Sequence, residues 1–541
     1  METPAVSSPD KLLRPPVNSS ADEMRLLDIF PSEIKSSPIA CSYRVISLKP
    51  SDGQQLPFYE TSSYAWQDAG SDPETEAPQI LIDHTSFPVS ASLLRALRRL
   101  RFPNRIRTIW IDAVCINQSD NVEKTQQVNF MRRIYASCTH CNIWAGISTR
   151  LWTVQEAILP PAATVYWGAC EMSWHLFDMA SEAIMGPTDG RRDEHVGDLM
   201  PDEFNRLQLL NYLTCLVRGI SFSSAGEEPV STLYRWRDRK STDLRDKVYG
   251  LMGLKGRAVG GEEEEEAAFL PGIPSCGYTL DAQTLFCRVS WALVKQSNSL
   301  QPLMGRRGEG AKLEGLPSWV IDWSQDRWSD GFFYFDTEER KVPVQVPEAD
   351  YWAHKPLYYH YCADGPVMVG GGPRLLDEGG RVLGLDGFLV DRIAVVEQRE
   401  VLGRQRVPDG QVLAASAARY GELMGQCHEY FSSASEESRR RWLSGRWMQK
   451  YLGVVTGKLD AANPGAKVGL GPVTSEPGDE VWILELCRLP VVLKPLKSED
   501  QEGEGANRCH VTWVGDCCVY GIMMGGAVKG KEDAWVEVAV H

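Results

Sequence analysis

The sequence lacks the short motifs by which most nucleotide-binding and hydrolytic enzymes are identified. It contains no GxxxxGK(S/T) phosphate loop and no GxGxxG placed between a strand and a helix. A GxSxG nucleophile elbow and an HExxH zinc motif are also missing. The sequence therefore gives no support to the enzyme classes that these motifs define.

The sequence also has little positive charge and no long apolar run. It has 57 Lys and Arg against 72 Asp and Glu, which gives a net charge of -15. A net negative charge argues against non-specific nucleic-acid binding through a broad basic face, although it leaves a local basic patch open, so no nucleic-acid partner is expected. No apolar run approaches the length of a membrane span, and Met1–Asn18 lacks the apolar core of a signal peptide. We therefore expect a cytoplasmic protein without a membrane span.

The 14 cysteines are scattered along the chain and mostly lie in apolar segments. A chain of 541 residues can bury a core without disulfides, so we expect reduced thiols. Cys138 and Cys141 form a lone CxxC pair without a second ligand pair at suitable spacing, so no metal site is expected. Cys115 has no His near it in sequence and is interpreted as a small buried hydrophobe rather than a nucleophile.

Composition and periodicity divide the chain into five stretches. Residues 1–23 are polar and rich in Pro and Ser, and we expect them to be disordered. Residues 24–180 alternate strand and helix patterns, which predicts an α/β domain with a largely parallel sheet. Residues 181–335 are predicted to form a mainly helical extension and residues 336–378 an irregular linker. Residues 379–541 are predicted to form a β-rich α+β domain.

Local patterns predict individual elements. In the first half the predicted strands are Met24–Phe30, Ser42–Leu48, Phe58–Trp66, Ile106–Ile116 and Cys141–Ala145, with a hairpin of Gln79–Asp83 and Ser86–Val89. Ser90 is a predicted cap for a helix that buries Leu93, Leu97 and Leu100. In the second half we predict a strand pair over Arg381–Glu397, helix over Gly410–Tyr451, and β structure over Asp479–Leu496 and Cys509–Met524.

The stretch Trp110-Ile-Asp-Ala-Val-Cys-Ile-Asn-Gln118 ends an apolar run in polar side chains and leads into a helix. Asp120 with Glu123 resembles a capping box at the start of that helix, which buries Val128, Met131 and Tyr135. At the carboxyl end of a parallel strand, Asp112, Asn117 and Gln118 can bind or transform a ligand. The alternative is that Asp112 and Asn117 only shape a tight turn.

A second group of polar residues occurs in Trp152-Thr-Val-Gln-Glu156. A Glu beside aromatic and apolar neighbours can have a raised pKa and act as an acid or base. The alternative is an exposed helix residue next to a core Trp. The residues alone favour that alternative.

Residues 24–168 resemble the fungal heterokaryon-incompatibility (HET) domain in the sequences of their motifs and in the order of those motifs along the chain. The resemblance lies in Tyr59-Glu-Thr-Ser-Ser-Tyr-Ala-Trp66, the Trp110–Gln118 stretch, Glu123-Lys-Thr-Gln-Gln127 and Trp152–Glu156. The later phrase Asp243-Leu-Arg-Asp-Lys-Val-Tyr249 is similar to one that follows this domain in many fungal proteins. The resemblance marks as motif or binding residues Tyr64, Trp66, Trp110, Asn117, Gln118, Glu123, Gln127, Trp152 and Gln155.

This resemblance implies a fold, a role and a candidate chemistry. HET domains look distantly related to TIR domains, which implies a TIR- or flavodoxin-like parallel sheet. The implied role is fungal self/non-self recognition that ends in programmed cell death, through self-association or protein partners. Some TIR domains cleave NAD with a Glu beside the sheet edge. By that fold-level analogy Glu156 is a candidate catalytic acid with Asp112 beside the same strand ends, and NAD is a candidate substrate, while no cofactor is expected.

The sequence departs from the family pattern at two points. Gly146 and Trp152 are almost adjacent, whereas the family usually places a longer segment between the corresponding phrases. A missing helix would expose apolar sheet surface, so an inactive member of the family, or a gene model that lacks an exon, is a further alternative. Gln67 stands where the family usually has Gly, and it would strain a turn that needs a positive φ.

Overall fold

The computed structural model describes two compact units. One contains residues 1–269 and 273–281, and the other contains residues 270–272 and 282–541. Within them the described residues are 14–49, 55–63, 77–144, 151–167, 170–176, 179, 229–237, 239–254, 269–270, 272–273, 276–304, 313–325, 372–396, 451–456, 467–472, 474–487, 489–496, 508–519, 522 and 527–541. No helix within these ranges is both long enough and apolar enough to cross a bilayer.

The first unit is built on a nine-stranded sheet with the order β5-β4-β2-β1-β6-β3-β7-β8-β9. Its strands are β1 (Glu23–Ile29), β2 (Ala40–Ser47), β3 (Glu60–Ser63), β4 (Gln79–Ile82), β5 (Thr85–Pro88), β6 (Arg107–Trp110), β7 (His140–Trp144), β8 (Ala163–Trp167) and β9 (Cys170–Ser173). Its helices are α1 (Ala91–Leu100), α2 (Asp112–Cys115), α3 (Asn121–Ser137), α4 (Thr153–Ile158), α5 (Pro229–Arg235) and α6 (Asp246–Met252).

The predicted α/β class is confirmed, but the sheet is mixed rather than parallel. Strand β3 runs parallel to β6 and β7, and β7 runs parallel to β8. Strand β1 is antiparallel to both β2 and β6. The connection from β1 to β2 is too short for the crossover that joins parallel strands, so these two strands pair as a hairpin. The TIR- or flavodoxin-like layout remains a prediction.

Several local predictions for the first unit are confirmed. Ser90 caps α1, because its side chain accepts a hydrogen bond from the Leu93 N–H at 3.1 Å. Leu93, Leu97 and Leu100 are buried. Strands β4 and β5 form the predicted hairpin, and its turn residues Asp83 and His84 have φ of 48° and 66°. Positive φ at two successive residues matches the right-handed twist of the strands that they join.

Two predictions for this unit are wrong. The strand predicted over Ile106–Ile116 ends at Trp110, and Asp112–Cys115 form a helical turn in which the Cys115 N–H donates to the Ile111 carbonyl at 2.7 Å. Disorder does not extend through residues 14–23. Ser19–Ala21 form a 3₁₀ helix capped by Asn18, and the Pro15 carbonyl accepts a hydrogen bond from the Arg25 side chain at 2.6 Å.

The second unit contains helix α7 (Ala282–Ser297) and a second sheet. Its strands are β10 (Arg374–Leu375), β11 (Leu383–Val396), β12 (Tyr451–Thr456), β13 (Lys467–Pro472), β14 (Glu480–Leu484), β15 (Val491–Pro495), β16 (Arg508–Asp516), β17 (Cys518–Val519) and β18 (Val536–Val540). The β structure predicted over Asp479–Leu496 is found as β14 and β15, and that predicted over Cys509–Met524 is found as β16 and β17 up to Val519. Residues 520–521 and 523–524 lie outside the described residues. The helix predicted over Gly410–Tyr451 lies outside the described residues apart from Tyr451, which begins β12.

One long strand organises this second sheet. The strand pair predicted over Arg381–Glu397 is wrong, because Leu383–Val396 form the single strand β11. Its first part pairs with β18, its middle with β14 and its end with β12. Strands β14, β15, β16 and β18 pair in turn and return to β11, so these five strands close a ring. Register shifts interrupt its pairing with β14 between Leu389 and Asp391 and its pairing with β12 between Ile393 and Val395.

Candidate functional site

The polar residues that follow β6 hold a tight turn. The Asp112 carboxylate accepts a hydrogen bond from the Ala113 N–H at 2.7 Å, and the Gln118 amide donates to the Asp112 carbonyl at 3.1 Å. Asn117 accepts hydrogen bonds from the N–H and the hydroxyl of Ser119 at 3.2 and 3.1 Å. Asn117 and Gln118 therefore serve the local backbone, as the turn-shaping interpretation predicts.

Glu123 joins this turn to strand β1 through an ion pair. Its two carboxylate oxygens accept hydrogen bonds from the Arg25 guanidinium at 2.6 and 2.9 Å. The same carboxylate accepts the Asn117 N–H at 2.7 Å. The capping box is therefore only half formed: Asp120 accepts the N–H groups of Val122 and Glu123, but Glu123 does not return to Asp120. Arg25, only 2% exposed, was missed by the sequence analysis, although a lone Arg within an apolar strand was an available signal.

Gln127, one turn further along α3, makes a second link to β1. Its side-chain amide donates to the Glu23 carbonyl at 2.8 Å, and the residue is buried. Residues four apart on a helix project from the same face, so Glu123 and Gln127 act on β1 together. These two motif residues fix α3 against the sheet.

Trp110 and Tyr135 form a buried aromatic pair behind the turn. Their rings meet edge to face with centroids 5.5 Å apart and an interplanar angle of 82°. The Trp110 indole nitrogen and the Tyr135 hydroxyl have no hydrogen-bond partner among the described residues. Unpartnered polar atoms in a protein interior are uncommon and point to a bound water, a ligand or a reactive site.

Both candidate catalytic carboxyl groups act electrostatically on the Tyr135 hydroxyl of this pair. Burial raises the pKa of the Tyr135 hydroxyl well above its ordinary value, and the negative charges of Glu156 and Asp112 raise it further. Asp112 and Glu156 therefore share an electrostatic influence on the Tyr135 hydroxyl, and α4, which carries Glu156, packs against α3, which carries Tyr135. Glu156 is 3% exposed, so the interpretation of it as an exposed helix residue is wrong.

The remaining motif residues divide into described and undescribed positions. Trp152 is buried where α4 begins, and Gln155 donates to the Gly250 carbonyl of α6 at 2.9 Å. Helix α4 packs against β3, β7, α3 and α6. Tyr64 and Trp66 lie outside the described residues, as do the two departures from the family pattern, Gln67 and the Gly146 end of the short link.

The cysteines of this region are buried and protonated. Cys115 is fully buried, as predicted, and burial raises its pKa to about 12. Burial also raises the pKa values of Cys138 and Cys141. Within the described ranges, no group of three or more His, Cys, Asp and Glu side chains could hold a metal ion.

An apolar cavity of about 330 Å³ lies beside α2. Its lining includes Phe87, Val89, Leu93, Ala113 and Val114, but neither Asp112 nor Glu156. The cavity therefore brings no polar chemistry to the two carboxyl groups.

Comparison with known proteins gives a partial match to the first unit. Residues 59–153 match the family model described as heterokaryon incompatibility protein (HET). The chain is also 31% identical over 138 residues to heterokaryon incompatibility protein 6, OR allele, of Neurospora crassa. That similarity covers 24% of this chain and 20% of the relative, so the chain spans about a fifth of the relative's length. No solved structure matches the chain.

Proposed function

We propose, on the premise that this chain carries a heterokaryon incompatibility (HET) domain, that the domain promotes programmed cell death in fungal non-self recognition. The domain would act by self-association or by contact with a protein partner. The name of the Neurospora relative supports the incompatibility role, while the death response is our proposal.

The observation that carries a signalling role is how the motif residues are used. Glu123 and Gln127 bind strand β1, Asn117 and Gln118 bind their own turn, and Gln155 binds α6. These side chains form hydrogen bonds within the unit and fix its shape. Because the motif residues bind the protein itself rather than line an open cleft, they support a module that works through its surface.

A second candidate function is hydrolysis of NAD, and one observation favours it. Asp112 and Glu156 both act electrostatically on the buried Tyr135 hydroxyl, which has no partner among the described residues. In such a reaction water replaces nicotinamide at the ribosyl carbon, and a carboxylate accepts the proton that the water loses. Titratable groups with perturbed pKa values are concentrated at functional sites, and the raised pKa of Tyr135 beside these charges supports this candidate.

One experiment separates the two candidates. The full-length chain is placed under an inducible promoter in a filamentous fungus, and viability and total cellular NAD are followed together. We expect death with NAD unchanged at its onset if the module signals by assembly. A fall in NAD that precedes death would favour the enzyme instead.

Matched variants make the result specific. Glu156→Gln should leave death intact under the signalling proposal and abolish it if the domain hydrolyses NAD. Glu485→Gln, which changes a buried carboxyl in the other unit, is the control. If folded wild-type protein accumulates and the cells stay healthy, the proposed death function is wrong and the chain is an inactive family member.

A further inference from the structure

Helix α6 carries a buried carboxylate that reaches the start of α4. Asp246 is 8% exposed and accepts a hydrogen bond from the Tyr278 hydroxyl at 2.5 Å. It also accepts a hydrogen bond from the Trp152 side chain, whose only polar donor is the indole N–H. One carboxylate thus joins two aromatic side chains from distant parts of the sequence. Hydrogen bonds to a buried charged acceptor are stronger than those between neutral groups.

The residues next to Asp246 hold α6 itself in place. The buried Lys247 ammonium donates to the carbonyls of Arg237 and Arg239 at 2.7 and 2.5 Å. The Tyr249 hydroxyl donates to the Gly277 carbonyl at 2.9 Å. Both contacts fix α6 against other parts of the same unit. The Asp246 carboxylate is therefore held in position to accept the hydrogen bond from Trp152.

Arg245, the residue before Asp246, also links the start of α6 to other parts of the unit. Its guanidinium pairs with Asp243 at 2.6 Å and donates to the Leu280 carbonyl at 2.8 Å. Each polar side chain of Asp243-Leu-Arg-Asp-Lys-Val-Tyr249 therefore has a partner within this unit. The segment Asp243–Tyr249, which is similar to one that follows the HET domain in many fungal proteins, therefore has a structural role in the first unit.

Helix α4 is held from this side along its length. The Leu151 N–H donates to the Lys240 carbonyl at 3.0 Å just before the helix, and Gln155 donates to the Gly250 carbonyl. A Cβ added at Gly253 would lie 2.6 Å from the Gln155 side-chain oxygen, so the two helices approach closely. Glu156 follows directly, three residues beyond the end of the matched segment at residue 153.

We infer that Asp246 is a positioning residue for helix α4, and that the working HET domain extends through residue 281. Asp246 fixes Trp152, Trp152 fixes the start of α4, and α4 sets the place of Glu156. The segment that matches the family model lacks all of these supports, because they come from residues 229–281. Only the cell-death consequence of this inference rests on the proposed function.

Hydrogen exchange of the full-length chain tests the structural part directly. Removal of a charged acceptor from buried donors should make amide exchange in residues 153–158 about ten- to a hundredfold faster in Asp246→Ala, with a smaller effect in Asp246→Asn. The control is Asp322→Asn in the second unit, where another buried Asp accepts the Leu313 N–H at 2.9 Å. Unchanged exchange in residues 153–158, or equal opening in the control, would overturn the inference.

Two further measurements keep the test decisive. If Asp246→Ala does not fold, Trp152→Phe removes the same hydrogen bond while it keeps an aromatic ring in place, and faster exchange in α4 is expected again. In cells, Asp246→Ala should abolish the death response, Asp246→Asn should retain part of it, and Asp322→Asn should leave it intact. If the wild-type chain does not kill, the proposed function fails while the exchange result still decides the role of Asp246.

Discussion

Arg25 and Glu123 lie 98 residues apart in sequence and meet in a two-point ion pair, with N–O distances of 2.6 and 2.9 Å. The pair joins the first strand of the sheet to the start of α3. The Arg25 guanidinium also donates to the Cys115 carbonyl at 3.0 Å, so it also binds the helical turn α2 that follows β6.

Loss of one member of this pair should be costly. Glu123→Ala leaves the Arg25 charge buried without its partner, and we expect the free energy of unfolding to fall by about 3–5 kcal/mol. Urea denaturation of the full-length chain measures the change. The double variant Arg25→Met with Glu123→Leu should lower the free energy of unfolding by less than the sum of the losses in Arg25→Met alone and Glu123→Leu alone. Additive costs would contradict a direct interaction.

The close approach of α4 and α6 predicts different costs at two glycines. In Gly253→Ala the new Cβ meets the Gln155 amide at 2.6 Å, and that amide cannot move without losing its bond to Gly250. We expect a loss of about 1–3 kcal/mol in thermal or urea unfolding. Gly250→Ala meets the flexible end of Leu151 at 3.0 Å and gains helix propensity, so it should be near neutral. Equal costs at both positions would mean that the two helices are less tightly joined.

The Tyr135 hydroxyl is expected to contribute nothing to folding. Since it is buried without a described partner, Tyr135→Phe should leave the free energy of unfolding unchanged or raise it by up to ~1 kcal/mol. The matched control is Tyr59→Phe, because the Tyr59 hydroxyl donates to the Ile134 carbonyl at 2.7 Å and its loss should destabilise the protein. A loss at Tyr135 as large as that at Tyr59 would show that the hydroxyl is bonded in solution.

A pair of histidines in the second unit predicts a dependence on pH. The His510 Nδ1 and His541 Nε2 atoms lie 2.8 Å apart. Burial lowers the pKa of His541 below 6.5, the His510 charge lowers it further, and Asp377 opposes both. The unfolded chain therefore binds a proton more readily than the folded chain. The contribution of His541 to stability is present above pH 6.5 and is lost as the pH falls toward the folded-state pKa.

Urea midpoints between pH 5 and 8 measure this effect. The wild-type chain should lose stability relative to His541→Gln as the pH falls below 6.5, because Gln does not titrate. Parallel pH curves for the two proteins would contradict the prediction.

Sequence patterns predicted the elements whose determinants are local. Ser90 capped α1, β4 and β5 formed the hairpin, and α3 buried Val128, Met131 and Tyr135, because each depends on spacing within one short segment. Contacts between distant residues were not predicted. The ion pair of Arg25, the burial of Glu156 and the partner change along β11 arise only when separate segments meet.

The candidate site was predicted only in part for the same reason. Asp112 and Glu156 could be identified from the sequence as candidate carboxyl groups. Their shared influence on the Tyr135 hydroxyl could not, since the three residues lie on three separate helices. The helical turn at Asp112–Cys115 was also missed, because its apolar residues continue the strand pattern of β6.

The bond from Gln155 to Gly250 spans 95 residues, which matters while the chain is being made. At roughly 5–20 residues per second, a ribosome needs on the order of 5–20 s to add the stretch that lies between them. During that interval a nascent chain already holds the central strands and α4, yet α6 has not been synthesised. Under the proposed death function, a module built in this order stays incomplete on the ribosome until α6 has been made, and the cell is protected from it during that interval.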